Sequence, residues 1–201
     1  LTVPLFLPRG ICYTEKRMDI NVFQLSKPRC SSCFPANAPV NRRILWQPIS
    51  GLISVEPILK FLFFDDFFHK LGEKRTPTEV RFGSEHVLNR IYDAILALLD
   101  ELHLTCQDIT CMGIGVPGIL DIKNGISRFS PNFPKWEEVP IVAWMESHLH
   151  IPTYIDNDAR VNLYGEWKFG AGKNRNNVLM ITLGTGLGGA VVIDGRVIYG
   201  A

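Results

Sequence analysis

The chain has 201 residues, of which 46% are hydrophobic and 20% are charged, so it can bury a sizeable core and wholesale disorder is excluded. Its 21 Lys and Arg residues nearly balance its 20 Asp and Glu residues, and the net charge of +1 gives no electrostatic reason to bind nucleic acid or an anionic membrane. No apolar run approaches the ~20 residues of a spanning helix and no signal peptide is visible, which predicts a cytoplasmic protein without nucleic-acid or membrane partners.

The N-terminal part of the chain lacks a clear pattern. Prolines recur throughout residues 1–60, and no apolar period of 3.6 or 2.0 residues persists there. Cys30 and Cys33 form a C-x-x-C pair, which is interpreted either as a zinc half-site or redox pair or as two reduced thiols. Five phenylalanines then crowd into residues 61–68. We therefore divide the chain into an atypical segment, 1–60, and an ordered domain, 61–201.

Regular elements are predicted from about residue 70 onward. After a loop at 76–78, Ser84 begins a helix of about 18 residues whose apolar side chains recur every three or four positions. A buried strand at 109–116 is closed by Pro117 and Gly118, and a turn is expected at 121–125. The later predictions are helix 139–149, strand 153–155, helix 159–169, strand 178–183, and a hairpin of strands 190–193 and 197–199 around Asp194-Gly195. Strands that alternate with helices indicate an α/β fold.

A glycine-rich segment follows strand 178–183 and carries the densest signal for ligand binding. Four glycines fall within the six positions 184–189, with Thr185 among them. Glycines let the backbone approach a ligand closely and turn N–H groups toward an anion, so the segment is a candidate phosphate cradle. It lacks the lysine of a P-loop and no helix follows it. A glycine-rich hairpin without a ligand is the alternative.

The motif Asp156-Asn157-Asp158 lies between a predicted strand and a predicted helix. Ligands of α/β sheets bind at such carboxyl ends of strands. Asp158 is suited to accept a proton from a substrate hydroxyl, and the Asn157 amide is suited to bind sugar hydroxyls. The alternative is helix capping, for which Asp and Asn are preferred.

Two turn-rich segments and the histidines are less informative. The segments 115–118 and 130–134 expose polar groups, but each alone is an ordinary loop. The five histidines show no metal-ligand spacing, so no metal-binding residue is predicted.

Six motifs in a fixed order give the chain a family resemblance. They are Gly-Ile-Gly-Val-Pro-Gly at 113–118, Ser-Pro-Asn-Phe-Pro with a tryptophan at 130–136, Asp-Asn-Asp-Ala at 156–159, Gly-Glu-Trp with Gly-Ala-Gly at 165–172, Thr-Leu-Gly-Thr-Gly-Leu-Gly-Gly at 182–189, and a glycine with Tyr-Gly-Ala at 195–201. In this order they resemble the ROK family, which comprises bacterial-type glucokinases, fructokinases, N-acetylhexosamine kinases and sugar-responsive repressors. The resemblance covers about residues 70–201.

The resemblance implies an actin-like ATPase (ribonuclease H-like) fold in which a sugar and ATP lie between two lobes, with this chain supplying mostly the N-terminal lobe. It also implies phosphorylation of a hexose by ATP with Mg²⁺ as a cofactor; a non-catalytic, sugar-binding regulator is the alternative. Asp158 matches the general base and, with Gly118, Asn132 and Asn157, the sugar site. The phosphate-binding turn is matched by Gly184, Thr185, Gly186, Gly188 and Gly189. Homo-oligomers are expected because family members commonly self-associate.

The sequence also departs from the family pattern. The opening Asp-x-Gly-Gly-Thr turn is absent from residues 1–70, and Arg160 replaces the asparagine that follows Asp-Ala. The chain stops at Ala201, before the family's Glu-x-Gly-His and zinc motifs, so we expect a truncated second lobe, exposed apolar faces at 178–199 and self-association. Two interpretations of the N-terminal segment stay open. It is a frameshifted reading, in which a shifted frame at 46–51 permits Ala-Thr-Asp-Ile-Gly, or it is a divergent extension.

Overall fold

The computed structural model describes residues 58–183 and 187–199, together with the backbone of residues 43–50. Cys30, Cys33, Gly184, Thr185 and Gly186 lie outside the described residues. The strands are β1 (Arg43–Ser50), β2 (Ile58–Phe64), β3 (Lys70–Pro77), β4 (Ile109–Val116), β5 (Ile119–Asp121), β6 (Ile126–Phe129), β7 (Glu137–Val139), β8 (Thr153–Asn157), β9 (Val178–Leu183), β10 (Leu187–Ile193) and β11 (Arg196–Val197). The α-helices are α1 (Ser84–Glu101), α2 (Ile141–Leu149) and α3 (Asp158–Lys168).

The main sheet has five strands in the order β3-β2-β1-β4-β8. β1, β4 and β8 run parallel to one another, whereas β2 is antiparallel to both of its neighbours. Two smaller antiparallel sheets, β5-β6-β7 and β11-β10-β9, complete the fold. No described helix is both long enough and apolar enough to cross a membrane.

The crowded phenylalanines form a strand that is covered on both faces. Phe61 and Phe63 pack on one side of β2, in the main core beneath α1 and α2. Leu62 and Phe64 point to the opposite side, where they meet Val161 of α3. A strand with helices on both faces is mostly apolar, which explains why six of the seven residues of β2 are apolar and show no alternation, Lys60 being the exception.

β1 lies at residues for which the sequence predicted no element. It pairs with β2 from Ile44↔Phe64 to Ser50↔Ile58 and with β4 through Pro48↔Gly115. Proline lacks the N–H that a central strand normally donates. Pro48 therefore argued against a strand here, and β1 was not predicted from the sequence.

The structure corrects several predicted bounds. The expected loop at 76–78 is largely strand, because β3 continues to Pro77 opposite Ile58. The second helix begins at Ile141 and not at 139, since Val139 ends β7 and Pro140 precedes the helix. Strand 153–155 extends to Asn157 because its pairing with β4 continues, and helix 159–169 therefore becomes Asp158–Lys168. The last hairpin is β10, longer than expected, with β11, shorter than expected.

Other predictions are confirmed. The 18-residue helix at Ser84–Glu101 and the strands Ile109–Val116 and Val178–Leu183 have the expected bounds. The Asp194-Gly195 turn joins β10 and β11, with φ values of 48° and 71°. Both residues thus have the positive φ that a tight hairpin turn of this kind requires.

Candidate functional site

Three parallel strands end at one edge of the main sheet. The register aligns Pro48 of β1 with Gly115 of β4, and Gly115 with Asp156 of β8. Because the carboxyl ends of β4 and β8 are neighbours, the turn at Gly118 and the start of α3 open at the same edge. This edge is where open α/β sheets bind their ligands.

Asn157 joins these two neighbouring segments. It is the N-cap of α3, with its Oδ1 accepting a hydrogen bond from the Ala159 N–H at 3.1 Å. Its Nδ2 donates to the Gly118 carbonyl oxygen at 3.4 Å. The capping alternative for the Asp156-Asn157-Asp158 motif is therefore confirmed for Asn157. The second hydrogen of its amide nitrogen remains a donor for a ligand.

Gly118 brings a third segment to this edge. Its φ is +101°, and a Cβ built there would overlap the Phe129 carbonyl oxygen and lie 2.9 Å from Ser130 Cα. Glycine is thus needed at this turn for both conformation and space. The turn touches the start of the 130–136 segment, in which Asn132 is exposed.

A buried tryptophan anchors the segment that carries Asn132. Trp136 is 2% exposed, and its indole N–H donates to Ser127 Oγ at 2.8 Å. Phe133 packs edge-on against it with ring centroids 5.0 Å apart. These contacts hold the segment on the carboxyl-terminal side of Asn132, which itself is left at the surface.

Asp158 is the first residue of α3 and is half-buried. Its Oδ1 accepts a hydrogen bond from the Ala159 N–H at 2.8 Å, and Oδ2 has no hydrogen-bond partner among the described residues. Burial raises the pKa of Asp158, opposed in part by backbone hydrogen bonds and by the charge of Arg160. A carboxylate with a raised pKa and an open oxygen is suited to accept a proton.

Asp156, the other carboxylate of the motif, is fully engaged. Its Oδ1 accepts from Arg160 Nε and from the Asn157 N–H, each at 2.6 Å. Its Oδ2 accepts from the Tyr199 hydroxyl at 3.2 Å. Asp156 thus holds neighbouring groups, and Asp158 is the carboxylate that is available for chemistry.

The described part of the glycine-rich segment lies next to α3. Gly188 pairs with Thr182 across the hairpin, and a Cβ at Gly188 would lie 2.5 Å from Thr182 Oγ1 and 3.5 Å from Ala159 Cβ. A Cβ at Gly189 would lie 3.3 Å from the Met180 carbonyl oxygen. The start of β10 therefore lies against the residue that follows Asp158.

Some residues of this edge were missed by sequence reasoning. Arg160 was noted only as a departure, and its pairing with Asp156 depends on the junction at which β8 ends and α3 begins. Tyr199 was part of the last motif but was given no role, and its contact with Tyr164, whose hydroxyl is 3.2 Å away, could not be predicted because 35 residues separate the two. Ser130 Oγ and Asn162 Oδ1 are buried without a hydrogen-bond partner in the described part of the chain.

Sequence comparison with known proteins finds a matching family model and several similar proteins. The ROK family model matches residues 62–201. A glucokinase of Thermotoga maritima is 40% identical over 123 residues, which are 61% of this chain and 37% of that protein. A xylose repressor of Caldicellulosiruptor bescii is 32% identical over 70% of this chain and 33% of its own length.

Solved structures agree on the fold. The ROK family glucokinase of Streptomyces griseus, determined with glucose and AMPPNP, has a TM-score of 0.67 and 26% identity, covering 79% of this chain and 47% of that one. The ROK hexokinase of Thermus thermophilus has a TM-score of 0.65 and 28% identity, covering 79% and 49%. These neighbours confirm the expected α/β, actin-like ATPase (ribonuclease H-like) fold of one lobe.

The chain spans about a third of the curated relatives described above and about half of each structural neighbour. The proteins it is similar to include glucokinases, a hexokinase and a xylose repressor. The expected resemblance is confirmed, and the chain belongs to the ROK family.

Proposed function

We propose that this chain carries the base-bearing lobe of a hexose kinase, which transfers the γ-phosphate of ATP to a hydroxyl of glucose or a similar aldose. The observation that carries the proposal is the Asp158 carboxylate, which is half-buried, has a raised pKa and keeps one oxygen open. Asn157 beside it is bonded to the Gly118 turn, and Gly188 lies against Ala159, the residue that follows it. A proton acceptor close to polar amide groups and to a glycine-rich turn suits phosphoryl transfer, which depends on positioning more than on covalent catalysis.

Each residue then has a defined role. The sugar hydroxyl oxygen attacks the γ-phosphorus, the bond from that phosphorus to the β–γ bridging oxygen breaks, and ADP leaves with the bond's electrons. Asp158 takes the hydroxyl proton as the new bond forms. Asn157 and Asn132 offer amide groups to the other sugar hydroxyls, and the Gly118 turn contacts both the Asn157 side chain and the start of the segment that carries Asn132. The phosphates are bound by backbone N–H groups and one hydroxyl of the glycine-rich segment, namely those of Gly184, Thr185, Gly186, Gly188 and Gly189.

The described residues fit a magnesium ion that arrives with the nucleotide. They contain no group of three His, Cys, Asp or Glu side chains able to hold a metal. Mg²⁺ commonly keeps several waters and binds through substrate phosphates, so a resident cage is not required. When bound, the ion neutralises part of the triphosphate charge. Gly188, whose missing Cβ leaves room beside Thr182, belongs to the segment that would hold those phosphates.

A sugar-responsive regulator is the second candidate function. The similarity to the xylose repressor of Caldicellulosiruptor bescii extends over 70% of this chain, more than the similarity to the Thermotoga maritima glucokinase does. A regulator would use the same Asn157 and Gly118 to hold a sugar but would not need a proton acceptor. The open Asp158 carboxylate favours the kinase.

The test is ATP-dependent phosphorylation of a hexose panel with Mg²⁺ by the full chain. We expect Asp158→Asn to lower kcat by about 10³-fold, because general-base catalysis contributes roughly 10²–10⁴-fold. Asp93→Asn, at an exposed position on α1, is the matched control and should leave the rate unchanged.

Three outcomes separate the candidates. Full activity in Asp158→Asn contradicts the role of Asp158. No phosphorylation by the wild-type chain contradicts the kinase, and sugar binding measured by calorimetry would then favour the regulator. If neither phosphorylation nor sugar binding occurs, both functions are excluded for this chain.

A further inference from the structure

Asp156 receives three hydrogen bonds, two from residues that follow it closely in the chain and one from a residue 43 positions away. Arg160 Nε on α3 and the N–H of Asn157 donate to Oδ1, and the Tyr199 hydroxyl, beyond β11, donates to Oδ2. The side chains of Asp156 and Arg160 are only 14% and 18% exposed. Water competes weakly for an ion pair that is this well covered, so the pair has a fixed geometry.

Tyr199 closes the arrangement from the side of the small sheet. The guanidinium carbon of Arg160 lies 4.9 Å from the centroid of the Tyr199 ring, within the range of a cation–π contact. The Tyr199 and Tyr164 hydroxyls are 3.2 Å apart. Burial, the hydrogen bond with Tyr164 and the charge of Asp156 all raise the pKa of Tyr199, so its hydroxyl stays protonated and able to donate.

We propose that Asp156, Arg160 and Tyr199 form a clasp that fixes the first turn of α3, and with it the Asp158 carboxylate, against the sheet β9-β10-β11. Asp156 and Arg160 lie two residues before and two residues after Asp158, so the clasp restrains the chain on each side of Asp158. Arg160 and Tyr199 are thereby positioning residues. As a statement about catalysis, the inference rests on the proposed function, since it takes Asp158 to be the base.

The clasp also determines the charge around Asp158. β9, β10 and the carboxyl-terminal halves of β1 and β4, which pack near the start of α3, contain no ionisable side chain. The described ionisable groups close to the start of α3 are Arg160 on the helix itself, Asp156 on β8 and Tyr199 beyond β11. β2 adds Lys60, which lies on the same face of that strand as Leu62 and Phe64 and is 3.7 Å from Glu73 of β3. The positive charge of Arg160 lowers the pKa of Asp158, against the larger effect of burial.

The test is the pH titration of the Asp158 carboxyl carbon, followed by NMR in the full chain without sugar or nucleotide. Arg160→Met should move the titration midpoint of Asp158 to higher pH, because the opposing positive charge is lost. Arg160→Lys keeps the charge and should restore most of the wild-type midpoint. Arg90→Met is the matched control: Arg90 pairs with Glu79 at 3.1 Å in a half-buried position between α1 and the segment after β3.

A second measurement isolates the tyrosine contact. Tyr199→Phe removes one hydroxyl and should accelerate hydrogen exchange of the Ala159 and Arg160 amides about tenfold, since a hydrogen bond to a charged group is lost. Tyr92→Phe on α1 makes the same chemical change beside Trp144 and His148 and should leave these amides unaffected.

The outcomes distinguish the clasp from the proposed function. An unshifted midpoint in Arg160→Met together with unchanged exchange in Tyr199→Phe overturns the clasp, whether or not the chain phosphorylates a sugar. Shifts confined to the clasp variants support it even if no phosphorylation occurs, in which case the clasp positions Asp158 in a binding protein. If the chain is a kinase, the same variants should lower kcat more than they raise the KM for ATP.

Discussion

At the scale of single residues, Gly118 and Gly83 illustrate two different reasons why a position requires glycine, namely backbone conformation and lack of space for a side chain. Both have a positive φ, +101° and +92°. A Cβ at Gly118 would overlap the Phe129 carbonyl oxygen, whereas a Cβ at Gly83 would meet nothing within 4 Å. Conformational strain therefore acts at both positions, but steric exclusion acts only at the candidate sugar site.

This difference gives a prediction for stability. Gly118→Ala should lower the free energy of unfolding by about 3 kcal/mol or more, because strain of about 1–3 kcal/mol is joined by displacement of the Phe129–Ser130 backbone. Gly83→Ala should lower it by only about 1 kcal/mol. Urea denaturation of both variants at one pH makes the comparison. Equal losses would show that steric overlap at Gly118 is relieved without a penalty.

Asn157 illustrates why the two interpretations of a polar motif do not exclude each other. Its Oδ1 caps α3, and its amide nitrogen reaches the Gly118 carbonyl oxygen. A cap is satisfied by one oxygen atom, so the amide nitrogen of the same side chain is able to bond the Gly118 turn. Local residue type predicted the cap, and only the pairing of β4 with β8 shows what the cap brings together.

At the scale of elements, the β2–β3 hairpin is held by a carboxylate among three cations. Glu73 bonds Lys70 at 3.0 Å and Arg75 at 2.8 Å, and it lies 3.7 Å from Lys60, which is only 7% exposed. Burial raises the pKa of Glu73, but these cations outweigh it and bring the pKa to about 2. Since the folded-state pKa is depressed, the stabilisation is present above the unfolded pKa and is lost as the pH falls toward 2.

Glu73→Gln should therefore destabilise the protein by about 1 kcal/mol at pH 7, with Lys60 losing a nearby carboxylate. The difference from wild type should shrink between about pH 5 and pH 2, as the wild-type carboxylate becomes protonated. Thermal unfolding of both proteins across this pH range measures the difference in stability. A difference that does not vary with pH would assign the loss to packing and not to charge.

The elements also show what the sequence could predict. α1, β4 and β9 were predicted with correct bounds because their apolar pattern is clear over six or more residues. The sheet β5-β6-β7 was missed because its strands have only three or four residues, too few for a period to appear. At the site, the motif that contains Asp158 was visible in the sequence. The Asp156–Tyr199 contact was not, because it joins residues 43 positions apart.

At the scale of the whole molecule, the two faces of the sheet β9-β10-β11 are unequal. Met180 and Val192 on one face are buried with Leu163 of α3. On the other face, Leu179, Leu183 and Leu187 are 70%, 73% and 76% exposed, and Ile181 and Ile193 also face outward. Leucine pairs with leucine across the hairpin at 183 and 187, so the exposed side chains form one continuous apolar face. Faces of this kind promote association in water.

Leu179→Lys should therefore weaken self-association of the chain at least tenfold. Burying one leucine side chain contributes about 1.5–3 kcal/mol, and an ammonium group in the same contact would lose its hydration. Leu179 lies opposite Val191, in the half of the hairpin away from the glycine-rich segment, so the substitution leaves the candidate phosphate site in place. Phe67→Lys is the control, because Phe67 is 79% exposed in the turn after β2, outside this apolar face. Sedimentation velocity over a range of concentrations measures the self-association of both variants. Association that persists in Leu179→Lys but is lost in Phe67→Lys would assign the contact to the β2–β3 turn and not to the sheet β9-β10-β11.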